Sequence, residues 1–548
     1  MVTRRAFNKG LFGVALASLA APRAMANFGV NPPNAYLNRL TFGATTQSIA
    51  DFEALGLDGW LEKQLAMPEA DAALEARITA ARLQIEYEAG ESETGETWAA
   101  MDEMRHLTML NAPAADLVKF MDFDLPFDFS ERERAGYEVI AASFIRATHA
   151  EAQLREVMAQ FWHNHFSTNA LKDVETAVFF PAYDRIMRRH ALGNFRVMLG
   201  EVARAPTMLY YLNNASSRAS PANENYAREL LELHTMGAAN YLNDQYDSWR
   251  EVPGAEDGLA VGFIDQDVYE VARAFSGWTV GDGGWLDDGT DKPTTGEFFF
   301  ATLWHDPYQK RILGVEFEPN AAPMADGNKV LDILAAHPAT ARFVTEKILR
   351  RLGLETPSEA FMARVAEVFT NALDDEDQIA QVVRIIVLSE EFATTAPNKL
   401  RTPFEFLIAL YRATGTHVVE PQYDLLWQLE RTGWTQHQVH PPTGHSDHSA
   451  DWANTRALNG MVNFALYAHD GDLDGIKFNP KIAVKTWGEY AEHWARALQA
   501  PPDTVKAFLK GMALDHSAPL PLDDEGYLLW GANNAIALAA LTPQFMFR

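Results

Sequence analysis

Asn223-Glu224-Asn225-Tyr226-Ala227-Arg228-Glu229-Leu230-Leu231-Glu232-Leu233-His234-Thr235-Met236-Gly237 is the stretch on which the fold class turns. At about 100° per residue, Tyr226, Ala227, Leu230, Leu231 and Leu233 form one apolar arc of a helix, and His234 falls inside it. Asn225, Glu229 and Glu232 share the opposite side at i, i+4 and i+7. Arg228 reaches Glu224 or Glu232 at i±4. Glu229 lies at the border of the arc, where partial burial would raise its pKa.

The same period extends in both directions. Towards the N-terminus, Thr45 or Thr46 can cap a helix carrying Ile49, Phe52 and Leu55, which Gly56 ends; Asp58 then caps a second one with Trp60, Leu61 and Leu65. Residues 68–100 read as an amphipathic stretch passing into a solvated, acidic, Gly-rich loop at residues 89–93. Residues 132–166 and 179–212 are helical again. Towards the C-terminus, residues 243–262 are polar and aperiodic. A helix follows over 267–278, with Asp265 as its cap, and further helices at 329–335, 338–352, 359–373, 376–389 and 403–414. A polar loop begins at Pro441-Pro442, and helical patterns resume from Trp452. Turn-forming Gly and Asp at 281–289, followed by Phe298–Trp304, predict one β-hairpin. The expectation is an all-α protein, one large unit over 27–548, with a minor hairpin around 281–304.

The chain opens with Thr3-Arg4-Arg5-Ala6-Phe7-Asn8-Lys9, an apolar run from Leu11 to Ala21, and Ala24-Met25-Ala26. A basic start, a short apolar stretch and a small-x-small site make an export signal, here over residues 1–26. The paired arginines point to the twin-arginine route into the periplasm. The run is shorter than the roughly 20 residues a bilayer needs, and no other segment qualifies, so no integral membrane segment is expected in the mature chain. Removing Arg4, Arg5, Lys9 and Arg23 with the signal takes the formal charge from −28 to −32. So acidic a chain repels nucleic acid and anionic lipid, whose binding needs Lys and Arg. The absence of cysteine excludes disulfides, thiolate metal sites, iron–sulfur clusters and cysteine nucleophiles. A metal, if used, must be held by His, Asp and Glu.

The chain has no nucleophile elbow, phosphate loop, His-Glu-x-x-His or dinucleotide fingerprint. Three groups of residues remain. Asn225, Glu229 and Glu232 could line a polar pocket as metal ligands or as an acid/base pair, or form a solvated face with ordinary ion pairs. In Phe161-Trp162-His163-Asn164-His165-Phe166, a continuing helix puts His165 on the stripe of Leu154, Val157, Met158, Phe161 and Trp162. His163 then points about 200° away, so the two could share a metal only if extended. His437, His440, His445 and His448 have the spacing of a zinc, copper or nickel cluster, or are incidental residues of a polar loop.

These blocks, taken in order, resemble the bacterial family called domain of unknown function 1800. The resemblance runs from about Leu37 to the C-terminus. It rests also on Leu40-Thr41-Phe42-Gly43, on Asp267-Val268 with Ala272-Arg273-Ala274-Phe275-Ser276-Gly277-Trp278, on His305-Asp306…Lys310…Leu313-Gly314, on Lys399-Leu400-Arg401-Thr402-Pro403-Phe404-Glu405-Phe406, and on Pro441-Pro442 with Trp452…Asn454-Thr455. It implies a mainly helical, exported protein and supplies no activity. It also implies a sulfatase-like exported partner. Relatives usually place Gly-Trp at Gly444-His445 and often Phe at His234. The resemblance moves the reading towards a functional cleft with Glu229, Glu232, Arg228 and His163 as catalytic candidates. Asn225, His165, Trp278 and His305 would lie around it, and a divalent metal is a candidate cofactor. The alternative is a non-catalytic envelope protein supporting that partner.

Overall fold

Helix α1 (Arg134–His149) is apolar or small on nearly every side, and its sequence therefore places it in the interior. Gly136 on α1 leaves no room for a side chain: a Cβ there would lie 2.8 Å from Leu171. Around α1 pack α2 (Gln153–His165) and α3 (Val174–Arg189), the latter opened by a capping box between Asp173 and Thr176. Further along the chain come α4 (Glu224–Glu229), α5 (Asp265–Ala274), α6 (Pro338–Arg351) and α7 (Pro403–Thr414). Thr402 and Glu405 make the capping box of α7, and Gly415 ends it in the left-handed conformation. The computed structural model describes residues 31–469 and 473–548; the expected export signal at 1–26 lies outside them. Buried apolar side chains form one cluster running from Tyr36 to Met546. No helix among the described residues is long and apolar enough to cross a membrane.

The fold is mainly α, as the periodicity predicts, and among the described residues every sheet is two-stranded. The predicted hairpin is present, with antiparallel strands Trp278–Asp282 and Thr294–Phe300. Four local expectations need correction. The amphipathic stretch expected to run from residue 68 into the loop at 89–93 is helical only in its first part. After a helix over Ala72–Ala80, Arg82–Tyr87 pairs antiparallel with Met101–His106, because Leu83 and Ile85 alternate with polar neighbours and both are buried. The loop at 89–93 contains strand residues, Gly90–Glu91 pairing with Thr97–Trp98. Asp265 is the first residue of α5 and not its cap: Asp267, at N3, accepts from the backbone of Ile264. Finally, regular α geometry stops at Glu229. Leu230–His234 form a π-helical turn, and the Thr235 hydroxyl donates to the Leu230 carbonyl at 2.6 Å. The wider turn rotates Leu233 out of the apolar arc to a half-buried position, while His234 stays fully buried.

Candidate active site around His163

The last turn of α2 divides its side chains between two environments. Trp162 and His165 face the core: the Trp162 indole donates to the Ala191 carbonyl at 3.0 Å, and His165 Nε2 lies 3.0 Å from the His234 carbonyl. The helix is continuous here, so His163 and His165 do not converge, and a shared metal between them is ruled out by their directions. His163 turns instead to Asp184 on α3, with Nε2 3.0 Å from Oδ1. The other carboxylate oxygen of Asp184 accepts from Arg146 on α1 at 2.8 Å. Arg188, one turn along α3, pairs with Glu156 on α2 at 2.5 Å. All these groups are buried. Burial alone would raise the Asp184 pKa, but Arg146, the His163 bond and Arg188 outweigh it and hold the carboxyl well below the usual range. An ionised carboxylate only accepts, so His163 Nε2 carries the proton of that bond. Its Nδ1 has no hydrogen-bond partner among the described residues.

Opposite His163 stands His437, the ring centroids 4.3 Å apart. His437 has φ 56°, a left-handed conformation uncommon for a residue with a side chain. It is held there because its carbonyl accepts from the Ala170 backbone at 2.8 Å and its Nε2 lies 3.1 Å from the Gln436 amide. Burial, then the neighbouring His163, push its pKa well down, so the ring is neutral. The histidine-rich loop is therefore a wall with defined anchors. Asn164 grips the backbone of His445 from both sides, donating to its carbonyl at 2.8 Å and accepting from its N–H at 2.7 Å. The His445 ring stacks on Trp434 at 4.0 Å, and its Nε2 lies 3.0 Å from the Thr435 carbonyl. The imidazoles of the loop do not gather around one point, and among the described residues no three His, Asp or Glu side chains could hold a metal ion.

Between α2, the start of α7 and this loop is a pocket of about 40 Å³, lined by Gln160, His163, Ser167, Thr168, Gln436 and His437 among others. That is room for one or a few waters, each needing ~10–15 Å³ of such space. Its far end is charged. Glu405 bonds Arg351 at 2.6 Å and Arg548 at 2.7 Å, and Asp447 bonds Lys399 at 2.6 Å. Burial lowers the Lys399 pKa to about 8, although Asp447 opposes the shift.

The other sequence candidates fall elsewhere. Neither Glu229 nor Glu232 lines the pocket of His163. Arg228 is shared among Glu224, Glu232 and Asp265 at 3.2–3.7 Å, which gives Glu232 an ordinary ion pair. Glu229 is half-buried; burial and then Glu232 raise its pKa, and it lies near enough to Tyr211 to raise that phenol in turn. The Tyr211 hydroxyl donates to the carbonyl of His440, so Glu229 stands behind the histidine-rich loop. Asn225 is exposed, and Trp278 is a core residue. His305 bonds the Ser276 carbonyl at 2.9 Å and faces Asp326 at 3.6 Å. His448 is exposed. Asp184 and Arg146 were not picked out in the sequence. The signal for both was a charged residue on an otherwise apolar helix face: Asp184 follows Phe180 by four positions, and Arg146 sits between Phe144, Ile145 and Ala147.

Fold and site together define a mainly helical protein whose interior carries an arginine–aspartate–histidine chain ending at a small polar pocket. The chain belongs to the family described as "Protein of unknown function (DUF1800)", whose model matches residues 35–547. No curated protein and no solved structure matches it.

Proposed function

We propose that this protein is an exported periplasmic enzyme that transfers a proton through His163. Asp184 fixes the imidazole tautomer and stabilises the imidazolium formed when Nδ1 accepts a proton; Arg146 keeps Asp184 ionised. The carrying observation is that the buried Arg146–Asp184–His163 chain ends at a pocket able to hold water. As a packing device such a chain is poor, because buried ion pairs are commonly no better for stability than apolar residues of the same volume. As a base it is well made: oriented, desolvated on one side and free at one nitrogen. Neutral His437 opposite adds a hydrogen-bonding group without adding charge. The reaction class that suits this arrangement is hydrolysis, His163 taking the proton of a water as it attacks the substrate. The acid–base reading is preferred to a divalent-metal one because the described carboxylates and imidazoles are not grouped as a ligand set.

The test is a panel of chromogenic esters, amides, glycosides and phosphates, assayed with the wild type, His163→Gln and Asp184→Asn. An activity reduced ~10²–10⁴-fold in His163→Gln, with the native fold retained by circular dichroism, is expected. A wild type inert on every class, or an activity that His163→Gln leaves intact, would refute the proposal. Export rests on Arg4-Arg5, the apolar run and Ala24-Met25-Ala26. Periplasmic protein should begin at Asn27, and lysines at both Arg4 and Arg5 should trap the precursor in the cytoplasm. Recovery of uncleaved wild type only from the cytoplasm would overturn it.

A further inference from the structure

Two sequence blocks that the His163 site does not use meet elsewhere in the fold. Asp267–Arg273 belongs to α5, and His305-Asp306…Lys310…Leu313-Gly314 follows the β-hairpin. Together they form a continuous chain of buried ion pairs. Glu270 bonds Arg273 at 2.5 Å, and Arg273 Nε bonds Asp306 at 2.8 Å. Lys310 lies 3.8 Å from Asp306 and 2.7 Å from Asp326, which His305 faces. Glu270, Asp306, Lys310 and Asp326 are all less than a tenth exposed. The Glu270 end of this chain opens on a cleft of about 360 Å³.

The walls of the cleft say what it would take. Most are apolar or small: Val252, Ala255, Ala260, Ile264 and Leu313. Trp249 is flanked by the Arg311 guanidinium at 4.1 Å and the Arg250 guanidinium at 4.3 Å from its ring centre. Polar groups are few and fixed. Glu270 accepts from Gln266 at 2.8 Å on one oxygen and from Arg273 on the other, leaving acceptor capacity on both. Asp267 accepts from the backbone N–H groups of Leu313 and Ile264, one on each oxygen, which fixes it against the wall of the cleft. Asp267, Glu270, Asp306 and Asp326 outnumber Arg311, Arg273 and Lys310 by one, so an anion would be repelled; Arg273 and Lys310 are already paired with these carboxylates, and the acceptors left open on the cleft suit a neutral ligand rich in hydroxyls. A pocket of this size, mostly apolar with a few convergent polar groups, is a small-molecule site.

We infer that this cleft binds a neutral sugar of one or two rings, its hydroxyls donating to Glu270 and Gln266 and its apolar face lying against Ile264, Leu313 and the Trp249 edge. The inference does not depend on the His163 reading, and binding is its readout.

Isothermal titration of the full-length mature protein with maltose, cellobiose and N,N′-diacetylchitobiose tests it, alongside Glu270→Gln and Gln266→Trp. Gln266 is exposed at the rim, so the tryptophan blocks the mouth without entering the core. At least one disaccharide should bind at sub-millimolar concentration. Both variants should weaken it tenfold or more while their thermal transitions stay within a few degrees of wild type. Should Glu270→Gln fail to fold, Gln266→Trp alone decides. No heat from any of the three at 10 mM in the cell overturns the inference, and so does binding that Gln266→Trp leaves unchanged. Binding of phenol in place of every sugar would overturn it too, by making the cleft a purely apolar site.

Discussion

Replacing Asp184 by asparagine keeps the shape of the side chain and removes the charge on which Arg146 and His163 both depend. Asn Oδ1 can still accept from one of them, but Arg146 is then a buried cation that has lost its ion-pair partner, with no partner for its Nε among the described residues. Removing one member of a buried pair typically destabilises by about 3–5 kcal/mol. The isosteric amide and the nearby Glu156 place this case at the lower end, about 3 kcal/mol at pH 7. The effect has a sign in pH. The folded-state pKa of Asp184 is depressed, so its contribution is fully present above its unfolded value of about 3.9 and is lost as pH falls below that towards the folded value. The wild type and Asp184→Asn should therefore differ most at pH 6–7 and converge below pH 4. Urea unfolding followed by tryptophan fluorescence measures both. A double-mutant cycle sharpens the argument: Asp184→Asn with Arg146→Met should lose clearly less than the two single losses combined, since the stranded charge is gone. A difference under 1 kcal/mol at pH 7, one independent of pH, or strict additivity in the cycle would refute the account of Arg146–Asp184–His163 as a coupled chain.

Two further outcomes rest on other groups. His234 is fully buried, neither ring nitrogen has a hydrogen-bond partner among the described residues, and burial lowers its pKa to about 3. Its folded pKa lies below the unfolded 6.5, so stability is lost as pH falls through and below 6.5, by about 2 kcal/mol at pH 5. His234→Phe should fold, match the wild type at pH 8 and melt higher at pH 5; an unchanged pH slope would contradict this. Gly444 adopts φ 72°, and a Cβ there would lie 2.3 Å from the Asn164 carbonyl oxygen. Gly444→Ala should cost about 2 kcal/mol or more and speed hydrogen exchange across residues 435–447, whereas unaltered exchange there would mean that the loop is anchored otherwise.

The sequence by itself determined the helical class, the positions of most helices and a hairpin around 281–304, whose strands lie a few residues earlier than the turn residues suggested, because the 3.6- and 2-residue periods and the capping and turn residues are local properties of the chain. It also determined the opposite facing of His163 and His165, which follows from one continuous helix. Local rules failed where the local geometry changed without a compositional mark: the π turn at Leu230–His234, and the short strands after Ala81 whose alternation runs for only a few residues. The site itself was decided by tertiary structure. His163, Asp184, Arg146 and His437 come from four separate segments up to 291 positions apart in number, from Arg146 to His437, and no spacing in the chain relates them. Glu229 and Glu232 had the more regular spacing, yet Arg228 and Asp265 make Glu232 an ordinary ion pair, and Glu229 ends up behind the loop. Whether a charged side chain meets water, a counter-ion or a pocket depends on which distant helix face packs against it, and that is settled only when the core closes.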